Sequence, residues 1–229
     1  MKKLITLILG ITLVYSCSSS SDSNENTIVL NIPGPDITDI EGNIYQTVTN
    51  CNQTWTTSNL NVSKYRNGDI IPLVSDPTVW ANLTTGAWCY YNNDPANGVI
   101  YGKLYNWYAV NDSRGLAPLG CHIPTDVEWN TLKTCLGGGL SGFKMKEIGT
   151  THWLTNDPNV TNSSGFTGLP GGHSYINGLF YEIGTEGRWW SSSAFNTSRC
   201  FAFILSYESG LGQTAYSKNN GFSVRCVKD

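Results

Sequence analysis

Seven cysteines and three histidines carry most of the reactive chemistry available to this 229-residue chain. Cys17 stands apart from the other six. It is preceded by a basic Met1-Lys2-Lys3, an apolar run from Leu4 to Val14 and a Tyr15-Ser16 pair, and a serine tract follows it. This is the layout of a bacterial export signal: a basic end, a short apolar core and a small residue before the cut. A cysteine directly after the cut is what lipoprotein processing requires, because its thiol receives the diacylglyceryl group. The apolar core is too short to span a bilayer as a helix. Residues 1–16 are therefore expected to be a signal peptide, with Cys17 tethering the protein by lipid to the bacterial cell envelope. The outer membrane is the expected site, and which side of it the domain faces is left open.

The remaining six, Cys51, Cys89, Cys121, Cys135, Cys200 and Cys226, form an even set in an exported chain. An oxidising compartment makes them disulfide candidates. None lies in a Cys-x-x-Cys pair, and His122, His152 and His173 are scattered, so no metal site is expected.

Other chemistries find little support. Gly137, Gly139 and Gly142 spell Gly-x-Gly-x-x-Gly, but a helical pattern precedes them where the dinucleotide fingerprint needs a strand. Neither His-Glu-x-x-His nor Gly-x-Ser-x-Gly occurs. His173, beside Gly171-Gly172, is the one histidine placed to hold a ligand in a loop; lacking a nucleophile partner, it reads as structural. Asn92-Asn93-Asp94-Pro95 and Asn156-Asp157-Pro158-Asn159 offer oxygen ligands suited to calcium. The same residues beside proline are ordinary turn formers, so calcium is the minor alternative and no cofactor is expected. A net charge of −3 gives no reason to expect nucleic acid.

Aromatic side chains remain. Tyr90, Tyr91, Trp153, Tyr175, Tyr181 and Tyr216 lie among polar and glycine-rich stretches and are the candidate ligand contacts. Trp55, Trp107, Trp129, Trp189 and Trp190 are assigned to the core.

The elements that must position these residues are mostly strands and ordered loops. The chain has 8 Trp, 12 Tyr and 24 Gly but only 14% charged residues, a balance that disfavours helix. Residues 17–36 are polar and end in Pro33-Gly34-Pro35-Asp36, which predicts a flexible tether. One domain is expected over 37–229. Ile44 to Val48 alternates as a half-buried strand, and Trp55 to Val62 predicts a second. Residues 67–98 read as loop, and Tyr101 to Val110 as buried. The clearest helix follows Pro124: Thr125 and Glu128 fit a capping box, Trp129, Leu132, Cys135 and Leu136 share a face, and Gly137-Gly138-Gly139 stops it. A shorter helix is predicted over 141–148, with strands near 189–192, 200–207 and 221–227.

In that order, several blocks resemble the Fibrobacter succinogenes major paralogous domain. They are Asp39-Ile40-Glu41-Gly42-Asn43-Ile44-Tyr45, Tyr65-Arg66-Asn67-Gly68-Asp69, Gly86-Ala87-Trp88-Cys89-Tyr90-Tyr91, Tyr101-Gly102-Lys103-Leu104-Tyr105-Asn106-Trp107-Tyr108, Leu169-Pro170-Gly171-Gly172 and Gly221-Phe222-Ser223-Val224-Arg225-Cys226-Val227. The Pro-Thr-x-x-Glu-Trp block and the closing Gly-Phe-x-x-Arg block are also similar to formylglycine-generating-enzyme-type and C-type-lectin-like domains. That likeness implies an α+β, C-type-lectin-like domain with a small twisted, mostly antiparallel sheet, one or two helices and long ordered loops. It does not fix function. Cys89 and Cys226 stand where the family often has cysteines, so Cys89–Cys226 is the preferred pair implied by the resemblance, with Cys200–Cys226 as its competitor. The formylglycine-generating enzymes use a paired reactive cysteine motif that has no counterpart here. The expected function is non-enzymatic recognition or adhesion of an unidentified extracellular ligand, glycan or protein, by the loops 88–98, 153–163 and 208–220. The rivals are a thiol enzyme and a structural envelope component.

Overall fold

The computed structural model describes residues 30–229, so Cys17 and the proposed signal peptide lie outside the described residues. Two five-stranded sheets organise the chain. The first runs β1 (Ile32–Thr38), β2 (Ile44–Asn50), β3 (Gln53–Thr56), β12 (Val227–Lys228), β6 (Cys121–His122), all antiparallel. The second runs β11 (Gly212–Ser217), β10 (Arg199–Leu205), β9 (Gly187–Ala194), β7 (Gly171–Ser174), β8 (Phe180–Ile183); only β7 and β9 are parallel. A two-stranded ladder, β4 (Trp88–Cys89) with β5 (Leu104–Tyr105), lies apart. The architecture is α+β and mostly antiparallel, with more sheet than the single small sheet expected.

The sheet begins inside the stretch expected to be tether. β1 takes Pro33 and Pro35 because it is an edge strand, where a missing N–H costs no ladder bond. Its register breaks between Gly34 and Ile37, and Thr47 Oγ1 donates to the Pro35 carbonyl at 2.9 Å. β2 keeps the predicted alternation, but the next strand covers only Gln53–Thr56. Cys51 and Asn52, at φ 47° and 71°, make the two-residue turn between them; positive φ at both central residues suits the right-handed twist of a hairpin.

Helices are short. The longest among the described residues is α4 (Asp126–Cys135), whose capping box is complete: Glu128 N donates to Thr125 Oγ1, and Thr125 N to Glu128 Oε2. The stretch read as loop holds α1 (Pro77–Ala81) and α2 (Pro95–Tyr101). Both open on Asp-Pro, with the aspartate side chain capping and the proline in the first turn. The expectation of one or two helices is thereby corrected to five among the described residues, counting α3 (Trp107–Val110) and α5 (Ser141–Met145).

Neighbouring residues in a strand face opposite ways, so Trp189 and Trp190 on β9 enter two different cores. Trp189 joins Trp55, Trp129, Phe166 and Phe203 beneath α4, where Trp129 stacks on Phe203 at 5.1 Å. Trp190 joins Tyr105, Trp107, Val224 and Phe222, with the Phe222 ring 4.3 Å away. All five tryptophans assigned to the core are buried.

Of the six disulfide candidates, one pair is bonded: Cys51 with Cys135, Cα atoms 6.4 Å apart, joining the β2–β3 turn to the end of α4. Neither expected partner of Cys226 is bonded to it. Cys89 packs in a separate cluster with Trp80 and Tyr91, and Cys200 lies opposite Tyr216 and Ala194. Cys89, Cys121, Cys200 and Cys226 are buried thiols.

Candidate functional site

The β7–β8 hairpin supplies most of the site. Gly172, at φ +61°, carries no side chain because a Cβ there would strike the Tyr181 carbonyl, Ile183 and the Tyr91 ring. The turn closes with Gly178 N donating to the Tyr175 carbonyl at 2.9 Å and Leu179 N to Asn177 Oδ1 at 3.1 Å. Across the hairpin His173 pairs with Tyr181, their rings 5.9 Å apart. Tyr175 meets Tyr181 at 6.1 Å with the rings perpendicular. Both tyrosines are 42% exposed, whereas His173 is 4% exposed.

β9 and β11 complete the wall. Arg188, beside His173 through the parallel β7–β9 pairing, lies 5.2 Å from the Tyr216 ring centroid. Its Nε donates to Glu186 Oε2 at 2.8 Å, its Nη2 lies 2.7 Å from the same oxygen as an ion pair, and its Nη1 donates to His173 Nε2 at 3.4 Å. Arginine only donates, so the histidine nitrogen facing it must carry the lone pair and the proton sits on Nδ1. That Nδ1 is buried and has no partner. Burial and the adjacent guanidinium push the His173 pKa down to about 3, which keeps the ring neutral near pH 7.

Together His173, Tyr175, Asn177, Tyr181, Glu182, Arg188 and Tyr216 line an open cleft of about 380 Å³. Three of the six aromatic candidates, Tyr175, Tyr181 and Tyr216, converge here. The other three do not. Tyr90 is half-buried against Trp88. Tyr91 and Trp153 are core residues, 6% and 5% exposed, and their assignment as ligand contacts is corrected on that ground. Nor do the expected loops build the cleft, since only Tyr216 comes from them, and it lies on a strand.

Sequence reasoning missed Arg188, Asn177 and Glu182. The signal for the hairpin was present: Asn177-Gly178 between His173-Ser174-Tyr175 and Phe180-Tyr181 is a strong turn signature.

A second hollow, of about 300 Å³, is lined by Lys146, Trp153, Asp157 and Tyr207 among others. Asp157 Oδ1 accepts from Asn159 N and Nδ2, an aspartate turn, and Asp94 Oδ1 accepts from Ala96 N. Both calcium candidates thus spend a carboxylate oxygen on local backbone. Among the described residues no group of three or more His, Cys, Asp or Glu side chains is placed to hold a metal ion.

The profile of the Fibrobacter succinogenes major domain matches residues 48–228. The chain belongs to that family. The match begins inside β2, leaves β1 outside, and takes in the second sheet, α4 and the whole cleft. No curated protein and no solved structure matches the chain.

Proposed function

We propose that this family member is a lipid-anchored protein of the bacterial outer membrane whose lectin-like domain recognises an extracellular ligand and performs no catalysis. The observation that carries the reading is the convergence of Tyr175, Tyr181 and Tyr216 on Arg188. Large rings beside a guanidinium form a recognition surface: the rings give contact area at low entropy cost and the planar donor fork fixes orientation. The lectin-like assignment draws support from the capped helix packing Trp129 on the second sheet and from the closing segment 221–227 threaded between the two sheets. Anchoring rests on the Cys17 motif.

The thiol-enzyme rival needs a reactive thiolate. Burial raises the pKa of all four unbonded cysteines, Cys200 to about 11 and Cys89 and Cys226 further still. Thiols in such surroundings are poor nucleophiles, which favours the binding reading.

Cells displaying the intact protein should adhere to glycan- or protein-coated surfaces more than cells displaying Tyr175→Ala/Tyr181→Ala. Equal adherence at equal surface abundance would remove the cleft from the account.

A further inference from the structure

We infer that the cleft is a calcium-independent site for an uncharged hexopyranose unit of a glycan, seated against Tyr175 and Tyr181 and hydrogen-bonded by Arg188. The inference rests on the recognition reading above and gives that site its ligand class.

The shape comes first. Tyr175 and Tyr181 stand perpendicular at 6.1 Å and form an exposed corner, one ring offering a face where the other offers an edge. A pyranose has an apolar C–H face and a rim of hydroxyls, so it can bury the face on a phenol ring and still point its rim at polar groups. The cleft, about 380 Å³, is near the lower end of small-molecule sites, which run from roughly 300 to 1,000 Å³. It is open on one side, as binding within a chain of sugars requires.

The polar groups fit hydroxyls better than ions. Arg188 has five N–H donors in a fixed fork; Nε is engaged by Glu186 and one on Nη1 by His173. Donors on both terminal nitrogens remain for ligand hydroxyl oxygens. His173, 4% exposed and held neutral, backs the guanidinium and adds no charge to the cleft.

Charge then excludes the neighbouring ligand classes. Glu186 neutralises Arg188 without lining the cleft, and Glu182, which does line it, adds a further negative charge. An anionic sugar meets that carboxylate with no free cation to oppose it. A calcium ion takes six to eight oxygens, and the cleft offers one side-chain carboxylate.

The test uses the full-length protein in detergent micelles on an array of neutral gluco-, manno- and galacto-oligosaccharides, uronate and sialylated oligosaccharides, and peptides, with and without EDTA. Positives are titrated by calorimetry against wild type, Tyr181→Ala and Tyr181→Phe. Tyr181 is exposed, so the alanine variant should keep its melting temperature. The expected result is binding to neutral oligosaccharides, unchanged by EDTA, weakened about tenfold or more by Tyr181→Ala and retained by Tyr181→Phe. A preference for anionic oligosaccharides or peptides that is still lost in Tyr181→Ala overturns the ligand class and leaves the cleft as the site. Neutral-glycan binding untouched by Tyr181→Ala overturns the cleft itself. Loss of binding in EDTA, or no oligosaccharide bound at all, overturns the ligand class.

Discussion

Asn59 and Arg225, 166 residues apart in the chain, meet through a 2.6 Å hydrogen bond from Arg225 Nε to Asn59 Oδ1. The same oxygen accepts from Trp189 Nε1 at 2.7 Å. Arg225 is 1% exposed and has no carboxylate partner; its other donors reach the carbonyls of Thr56, Phe166 and Thr167. One guanidinium thus fixes the chain beyond β3, the segment before β7 and strand β9, which carries Arg188 into the cleft.

Replacing Arg225 with either Ala or Lys should destabilise the domain by on the order of 3 kcal/mol or more, because several buried carbonyls lose their donor. Lysine should not rescue, since an ammonium cannot reproduce the planar fork. The shift in denaturation midpoint measures this, and a Lys variant as stable as wild type would contradict it.

Thr125→Ala should cost about 1 kcal/mol, the usual loss of an N-cap. Trp129→Ala should cost more, about 3–5 kcal/mol, since a fully buried ring that stacks on Phe203 leaves a cavity. Neither should change ligand affinity in the folded fraction. A Trp129→Ala protein that melts normally but no longer binds would reassign this residue from architecture to recognition.

His122 lies between two carboxylates, with Nδ1 2.7 Å from Asp229 and Nε2 2.7 Å from Glu128. Burial acts to lower its pKa, but the two acidic partners outweigh it and the net shift is upward. A raised folded pKa means the protonated ring stabilises the fold fully below the unfolded pKa, about 6.5, and that the gain is lost as pH rises through the folded value. Denaturation of wild type and His122→Gln across pH should therefore show their largest gap in acid and a shrinking one in alkali. A gap that grows with pH would refute the assignment. The effect should be small, because the side chain is 39% exposed.

Cys51→Ser should destabilise the protein by about 4 kcal/mol, as expected for a bridge closing a loop of 84 residues. Native protein should show no reactive thiol among residues 30–229, and unreduced unfolded protein should show four. A count of two on unfolding would mean a second bridge.

What the sequence revealed and what it hid follow from the range of the forces involved. The capping box at Thr125 is local chemistry, and Trp189-Trp190 had to be buried whatever the topology, so both were legible. Asp76-Pro77 and Asp94-Pro95 are equally local, but a turn and a short helix begin the same way, and only the residues that follow decide. Pro33 and Pro35 looked like tether because prolines fit a sheet only at an edge, and the edge is defined by strands elsewhere. The pairing of Cys51 with Cys135 depends on α4 docking beside the β2–β3 turn. In the cleft the exposed tyrosines were visible as candidates, whereas Arg188 became meaningful only once parallel pairing set β9 beside β7.

The central claim is that ligand binds at the Tyr175–Tyr181–Tyr216 cleft. The most direct measurement is an NMR titration of full-length, tyrosine-ring-labelled protein with neutral oligosaccharides. The account predicts that the ring signals of Tyr175, Tyr181 and Tyr216 shift together and saturably, while those of Tyr90, Tyr91 and Tyr207 stay in place. Shifts at Tyr207 with the cleft tyrosines unmoved would place binding in the hollow beside Lys146 and contradict the account.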